Sequence, residues 1–123
     1  MKTQHARQVL FLMLLVCFAG TIFAQAQEDQ YRRGGGACFY KDADYKGEKF
    51  CVQKGDRVGQ LPRGFNDTIS SVRLYGRVSV VVYQSSNFGG PSLRLQDDCA
   101  NLRSYQVRPG HSWNDQISSI EVH

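Results

Sequence analysis

The chain has 123 residues, of which 41% are hydrophobic and 21% are charged, and its formal net charge is +4. This length is typical of one domain. The basic surplus is small and evenly spread, which argues against a nucleic-acid partner.

The first 26 residues have the features of a secretory signal peptide. A charged start at 2–7 precedes an apolar run at 9–23, and Ala24-Gln25-Ala26 has the small-x-small form of a signal-peptidase site. The run is shorter than the stretch of about 20 apolar residues that a membrane-spanning helix needs. We therefore expect a secreted or periplasmic domain that has no membrane attachment after cleavage. Loss of Lys2 and Arg7 with the signal lowers the net charge to about +2.

Residues 27–36 are polar and glycine-rich and predict a flexible lead-in. From 37 to 123 no helical period occurs, and short apolar or alternating runs are separated by Gly, Asp, Asn and Pro, which indicates an all-β domain. The clearest predicted strands are 37–41, 49–53, 69–75, 78–84, 92–96 and 117–122. Two weaker candidates, 60–61 and 102–107, bring the expectation to about eight strands.

A six-residue sequence occurs twice, as Asn-Asp-Thr-Ile-Ser-Ser at 66–71 and Asn-Asp-Gln-Ile-Ser-Ser at 114–119. An aromatic residue precedes each copy, Phe65 or Trp113, and we expect its ring to pack in the core beneath the loop. Amide, carboxylate and hydroxyl oxygens are ligands that calcium accepts. The same side chains also shape turns by bonding to nearby backbone without any metal. The recurrence therefore indicates an internal repeat with two interpretations, a calcium site or a turn motif.

A second pattern also occurs twice: an aromatic residue, four residues, a second aromatic residue, one residue and a glycine. Its members are Tyr40, Tyr45 and Gly47 in the first copy and Tyr83, Phe88 and Gly90 in the second. The glycine is expected where the backbone turns with positive φ or lies under a ring. Asn66 follows Tyr40 by 26 positions, whereas Asn114 follows Tyr83 by 31, so the second copy carries five extra residues, which we expect at 97–111. Each copy then has a hairpin, a loop, an oxygen-rich turn and a strand, which predicts a two-sheet sandwich.

These two patterns resemble those of a βγ-crystallin domain, over residues 37–123. That family has two Greek key motifs, each with an aromatic-x4-aromatic-x-Gly hairpin, and its microbial calcium-binding members add the signature N/D-N/D-x-x-S/T-S. The resemblance implies an all-β, two-sheet sandwich with one Greek key at 37–76 and another at 77–123. It also implies one or two bound Ca²⁺ ions that stabilise the fold.

The resemblance further implies which oxygens hold the ions, because the motifs exchange ligands and each site draws on both. The second signature residue offers a carboxylate, the third a backbone carbonyl and the fifth a hydroxyl. The residue after the first hairpin aromatic adds a backbone carbonyl. In this chain these residues are Asp67, Thr68, Ser70 and Lys41 in the first half, and Asp115, Gln116, Ser118 and Gln84 in the second.

The chain departs from the family pattern at the hairpin position. Many members carry Glu where this chain has Lys41 or Gln84, so one negative charge is missing at each site. Because affinity follows the charge of the ligands, we expect weak to moderate calcium binding, with the Lys41 site the weaker.

Three cysteines remain after the signal, in an oxidising compartment. Cys38 lies two residues before Tyr40 and Cys51 lies one residue after Phe50, on the two strands of the first hairpin. We predict a Cys38–Cys51 disulfide and a free thiol at Cys99.

No catalytic site is predicted. His111 and His123 lie outside any Ser or Cys motif, and the neighbouring carboxylates Asp97 and Asp98 are expected to point apart into water. Three functions stay open: a calcium-stabilised secreted domain, an extracellular interaction protein such as a protease inhibitor, and a structural domain with degenerate metal sites. The inhibitor alternative rests on a resemblance to small secreted microbial metalloprotease inhibitors, and we expect a monomer or a homodimer.

Overall fold

The computed structural model describes residues 30–123, and the predicted signal peptide lies outside that range. Residues 30–34 are helical, and the carbonyl of Tyr31 accepts a hydrogen bond of 2.8 Å from the Gly35 amide. The Arg32 guanidinium lies 5.9 Å from the centroid of the Tyr75 ring. The described part of the predicted lead-in therefore has regular structure. Within residues 30–123, no helix has the length and apolar character that crossing a membrane requires.

Nine strands follow one another within residues 30–123. They are β1 (Gly36–Asp42), β2 (Lys46–Gln53), β3 (Arg57–Val58), β4 (Ser71–Tyr75), β5 (Val80–Ser85), β6 (Gly89–Leu95), β7 (Gln106–Arg108), β8 (His111–Ser112) and β9 (Ser119–Val122). The all-β prediction is confirmed, with nine strands in place of about eight.

The two weaker strand predictions are wrong in detail. The strand expected at 60–61 lies at Arg57–Val58, ahead of the Pro62 and Gly64 that interrupt the following segment. The strand expected at 102–107 starts instead with a 3-10 helix at Leu102–Ser104. The Asn101 side chain caps that helix by accepting a hydrogen bond of 3.0 Å from the Arg103 amide, which favours a helical turn over an extended strand.

The strands form two main antiparallel sheets, ordered β2-β1-β4 and β3-β9-β5-β6, and a separate β7-β8 pair. β3 belongs to the first half of the chain but pairs with β9 of the second. Reciprocally, Cys99 of the second half pairs with Val72 of β4 through two backbone hydrogen bonds of 2.8 and 2.9 Å. Each half thus lends a segment to the sheet of the other.

Alternate residues of the strands form the core. The hydrophobic core cluster includes Ala37 and Phe39 in β1, Val80 and Val82 in β5, and Ile120 and Val122 in β9, but neither Cys38 nor Val81 between them. This period of two is what one buried face of a strand requires. The predicted burial of the rings before the repeated turns is confirmed, since Phe65 and Trp113 are 8% and 2% exposed.

The first long hairpin folds over at its turn. The rings of Tyr40 and Tyr45 meet edge to face, with centroids 5.9 Å apart. Gly47 has φ +82°, and a Cβ there would lie 2.6 Å from a carboxylate oxygen of Asp42. Both the backbone conformation and the space therefore require glycine at this position.

The second hairpin repeats this arrangement. The rings of Tyr83 and Phe88 have centroids 5.7 Å apart, and Gly90 has φ +73° with no room for a Cβ, which would lie 2.9 Å from the Ser85 hydroxyl. The aromatic-glycine spacing that both copies share therefore corresponds to one local structure that occurs twice in the chain.

The last serine of each six-residue turn holds the folded hairpin of its own half. The Ser71 hydroxyl donates to the Asp42 carbonyl over 2.6 Å and accepts from the Tyr45 amide over 3.0 Å. Ser119 makes the same two bonds, to the Ser85 carbonyl over 2.6 Å and from the Phe88 amide over 3.0 Å. Both serines are fully buried.

The predicted disulfide is confirmed. Cys38 and Cys51 stand directly opposite each other on β1 and β2, and their Cα atoms are 4.1 Å apart. The directly opposed pair at this place in the second hairpin is Val81 and Arg94, so the bridge is an addition to the fold. Cys99 is a free thiol and is 5% exposed, and burial raises its pKa.

Removing the disulfide should lower stability without changing the fold. We expect the double variant Cys38→Ala, Cys51→Ala to lose about 2–3 kcal/mol of unfolding free energy, because the bridge restricts the unfolded chain. Urea unfolding under non-reducing conditions measures this loss. Cys99→Ala keeps the bridge and serves as the control, and a double variant as stable as wild type would contradict the prediction.

Removing either buried serine should also be costly. Ser71→Ala or Ser119→Ala removes two part-buried hydrogen bonds to the backbone, so we expect a loss of about 1–3 kcal/mol in the same experiment. The control is Ser79→Ala. The Ser79 hydroxyl accepts an exposed hydrogen bond of 3.2 Å from the Arg94 guanidinium, so this variant should change the free energy of unfolding by less than about 0.5 kcal/mol. A loss from Ser71→Ala no greater than that of the control would refute the assigned role.

Candidate metal sites at the repeated turns

The two six-residue turns are joined by a reciprocal pair of backbone hydrogen bonds. The Asp67 amide donates to the Ile117 carbonyl over 3.1 Å, and the Asp115 amide donates to the Ile69 carbonyl over 3.0 Å. Both isoleucine side chains are fully buried. Both aspartates have left-handed backbone, with φ +56° and +59°, a conformation that Asp tolerates better than most residues. The turns are thus pinned in the core while the aspartates stay exposed.

Each turn is also tied to the hairpin of its own half. The Ser70 amide donates to the Tyr40 carbonyl, and the Ser118 amide donates to the Tyr83 carbonyl, both over 2.9 Å. The predicted ligands at Lys41 and Gln84 directly follow these two tyrosines. The fold therefore places the hairpin residue of each half beside the fifth residue of that half's turn.

The Asp67 group, defined as Asp67, Gln116, Ser118 and Gln84, contains the clearest contact between the halves. The Ser118 hydroxyl donates to the Asp67 carboxylate over 3.2 Å, although the two residues are 51 positions apart. The Gln84 side-chain amide donates to the Gln116 side-chain carbonyl over 3.1 Å. These two hydrogen bonds thus join four of the predicted ligand residues in two pairs.

The Asp115 group, defined as Asp115, Thr68, Ser70 and Lys41, has the same backbone bonds but different surroundings. The Thr68 hydroxyl donates to the Phe65 carbonyl over 2.8 Å, within its own turn. The Lys41 ammonium lies 3.3 Å from a Glu48 carboxylate oxygen and 4.9 Å from the centroid of the Phe65 ring. The lysine is therefore paired, but its positive charge stays close to this turn.

A cavity of about 220 Å³ adjoins the Asp115 group. Its lining residues are Asp42, Ala43, Ser70, Asn101, Arg103 and Asn114. Ser70 of the first turn, Asn114 of the second turn and Arg103 thus line one cavity. Arg103 comes from the longer loop of the second half, and no local sequence pattern pointed to it.

The donor set of both groups suits a hard cation. Each has one carboxylate, one serine hydroxyl and neighbouring backbone carbonyls, which are calcium ligands and not the Cys and His ligands of structural zinc sites. Among residues 30–123, no three His, Cys, Asp or Glu side chains gather as a metal cluster. In the Asp67 group, two oxygens 3.2 Å apart fit two ligands of one ion whose metal–oxygen distances are about 2.3–2.6 Å.

The most connected ionisable cluster lies elsewhere, on the β3-β9-β5 part of the sheet. The Glu121 carboxylate accepts from the Tyr83 hydroxyl over 2.8 Å and from the Arg57 guanidinium over 3.2 Å, and its other oxygen lies 3.0 Å from the His123 ring. The Tyr83 hydrogen bond, followed by the Arg57 charge, lowers the pKa of Glu121, and the same hydrogen bond raises the pKa of Tyr83. These contacts cross-link three strands, which accounts for the cluster without a catalytic role.

The remaining residues considered for catalysis also have structural surroundings. The Asp98 carboxylate accepts a hydrogen bond of 2.7 Å from the Leu74 amide and so joins the loop to β4. His111 is exposed at the start of β8.

Known proteins match both the sequence and the fold. The family model of peptidase inhibitor family I36 matches residues 33–95. Gamma-crystallin M3 of Cyprinus carpio is 29% identical over 89 residues, which cover 60% of this chain and 51% of that protein. The chain therefore spans about half the length of this curated relative.

Solved structures give the same fold. A βγ-crystallin domain from Flavobacterium johnsoniae is 33% identical, with a TM-score of 0.59, and the match covers 71% of this chain and 92% of that one. A βγ-crystallin from Ciona intestinalis is 26% identical, with a TM-score of 0.58, and the match covers 72% and 99%. The chain belongs to peptidase inhibitor family I36, and its domain is a member of the βγ-crystallin family.

Proposed function

We propose that this chain is an extracellular βγ-crystallin-type domain that binds calcium at its two repeated turns and is stabilised by it. The observation that carries the proposal is the contact of 3.2 Å between the Ser118 hydroxyl and the Asp67 carboxylate. It joins the fifth residue of one turn to the second residue of the other, which is the exchange of ligands expected for this type of site. The disulfide supports an extracellular location.

A bound ion would cross-link the two halves of the domain. The Asp67 carboxylate and the Ser118 hydroxyl would hold it together with the backbone carbonyls of Gln116 and Gln84. Asp67 is exposed, so water can supply the remaining ligands of the six to eight that calcium takes. Because the complete ligand set exists only in the folded chain, calcium at ten times its dissociation constant adds about 1.4 kcal/mol of stability.

The two groups should differ in affinity. The Asp115 group has the Lys41 ammonium at its hairpin position, and Arg103 is among the residues that line the adjoining cavity, so both positive charges oppose a bound cation. Glu48 offsets part of the lysine charge. The hairpin residue of the Asp67 group is the neutral Gln84. The Asp67 group is therefore the tighter site.

Replacing each aspartate by asparagine tests both claims. Asparagine tolerates the left-handed backbone and still accepts a hydrogen bond, so the change removes mainly the charge. In calorimetric titrations we expect Asp67→Asn to weaken the tighter site by about tenfold or more, and Asp115→Asn to leave that site in place. With calcium at ten times its dissociation constant, the melting temperature of the wild-type domain should be about 6–11 °C higher than in chelator.

The control for these titrations is Asp97→Asn, which removes an exposed carboxylate outside both turns. It should titrate like wild type. An unchanged melting temperature in 10 mM calcium would rule out the calcium proposal and favour a structural domain with degenerate metal sites. A larger loss from Asp115→Asn than from Asp67→Asn would reverse the proposed order of the sites.

A second function, inhibition of a secreted peptidase, is favoured by the family match. The matched segment contains the first hairpin, whose two strands are closed by the disulfide. A rigid element loses little conformational entropy on binding, which is an advantage for an inhibitor. Family membership also supports the prediction of a non-enzymatic domain.

An inhibition assay tests this function directly. We expect the purified domain to inhibit at least one of trypsin, subtilisin, papain and thermolysin with an inhibition constant below about 1 µM, after preincubation. The control is protein that has been unfolded in denaturant and then reduced and alkylated, because alkylation of the buried Cys99 also hinders refolding and an unfolded chain acts only as a competing substrate. Full activity of all four peptidases at micromolar inhibitor would dismiss the proposal.

A further inference from the structure

The β7-β8 hairpin is a rigid addition to the second half. It lies in the longer loop, and β7 and β8 pair through Gln106 with Ser112 and Arg108 with His111. Pro109 and Gly110 form the tip, and Gly110 has φ +81°, a conformation that glycine adopts without steric cost. A backbone hydrogen bond of 2.9 Å from the Trp113 amide to the Tyr105 carbonyl anchors the hairpin to a ring buried in the core.

The surface of this loop is basic and carries an exposed ring. No Asp or Glu lies between Asp98 and Asp115, whereas Arg103 and Arg108 are both exposed. In the part of the chain that the structure describes, no ion pair involves either arginine. Among the large hydrophobic side chains of residues 30–123, the exposed one is Tyr105, at 41%. We call Arg103, Tyr105 and Arg108 the hairpin surface.

These features fit a protein partner with an acidic surface. Arg and Tyr are enriched at the centres of protein interfaces, and a preformed hairpin has little entropy to lose on binding. Complementary charge speeds the encounter with an acidic surface. Attraction to an anionic membrane would contribute only about 1 kcal/mol of binding free energy for each arginine. This is too little to hold the domain on a membrane.

We propose that the hairpin surface docks on an acidic surface beside the substrate cleft of a secreted peptidase. The inference rests on the proposed inhibitory function and names a contact site for it. The family match ends at residue 95, before the hairpin, so this site is not part of the matched segment. The hairpin would set which peptidases the domain inhibits, because rim charges govern association and exclude partners of like charge.

The test compares inhibition constants for a peptidase that wild type inhibits. We expect Arg108→Glu and Tyr105→Ala each to raise the constant about tenfold or more. The association rate of wild type should fall as salt rises, and Arg108→Glu should weaken that dependence. The matched control is Arg77→Glu, which reverses an exposed arginine in the turn between β4 and β5 and should leave inhibition unchanged. Equal melting temperatures exclude unfolding as the cause.

The outcomes separate this inference from the proposed function. Wild-type inhibition that both hairpin variants retain would overturn the inference and leave the inhibitory function standing. Lack of inhibition by wild type in the four-peptidase panel would overturn both. Binding of wild type but not Arg108→Glu to vesicles of anionic phospholipid, with unchanged inhibition constants, would assign the hairpin surface to a membrane and also overturn the inference.

Discussion

The fold depends on the reciprocal backbone bonds between the two repeated turns. The bonds from Asp67 to Ile117 and from Asp115 to Ile69 join the halves at their centre and hold both isoleucines in the core. The next residues of each turn bond to the hairpin of the same half, and the last serine closes that hairpin at its bend. One six-residue sequence therefore sets the position of the opposite half, a core side chain and a hairpin. These structural contacts by themselves give a physical reason for the near-identical recurrence of the sequence.

The same arrangement brings oxygen ligands together as a consequence of folding. Crossing the turns places the Ser118 hydroxyl against the Asp67 carboxylate, and these are two of the groups that the proposed calcium site would use. The halves are not equivalent, because the longer loop of the second half brings Arg103 to the cavity beside Ser70. That loop also forms the β7-β8 hairpin. A single extension thus makes the surroundings of the two turns different and adds a hairpin that the first half lacks.

Sequence patterns predicted the elements whose cause is local. Alternation of apolar residues located the long strands, and the glycine spacing located both folded hairpins, because steric limits on φ act at single positions. The Cys38–Cys51 bridge followed from two cysteines on the strands of one hairpin. The short strand at Arg57–Val58 and the 3-10 helix at Leu102–Ser104 were mispredicted. The strand at Arg57–Val58 has only two residues, which is too short to show an alternating pattern. In the segment at Leu102–Ser104, the cap from the Asn101 side chain outweighed the preference for an extended strand.

The sequence by itself determined the all-β class, the duplication and the folded hairpins, and it supplied the residues that we propose as oxygen ligands of a cation. Only the tertiary structure decided which half each segment pairs with. The pairing of β3 with β9, the burial of Cys99 against Val72 and the contact of Asp67 with Ser118 all join residues from different halves. The physical reason is that local periodicity records which face of a strand is apolar, whereas the neighbour of that strand is selected by how the whole core closes.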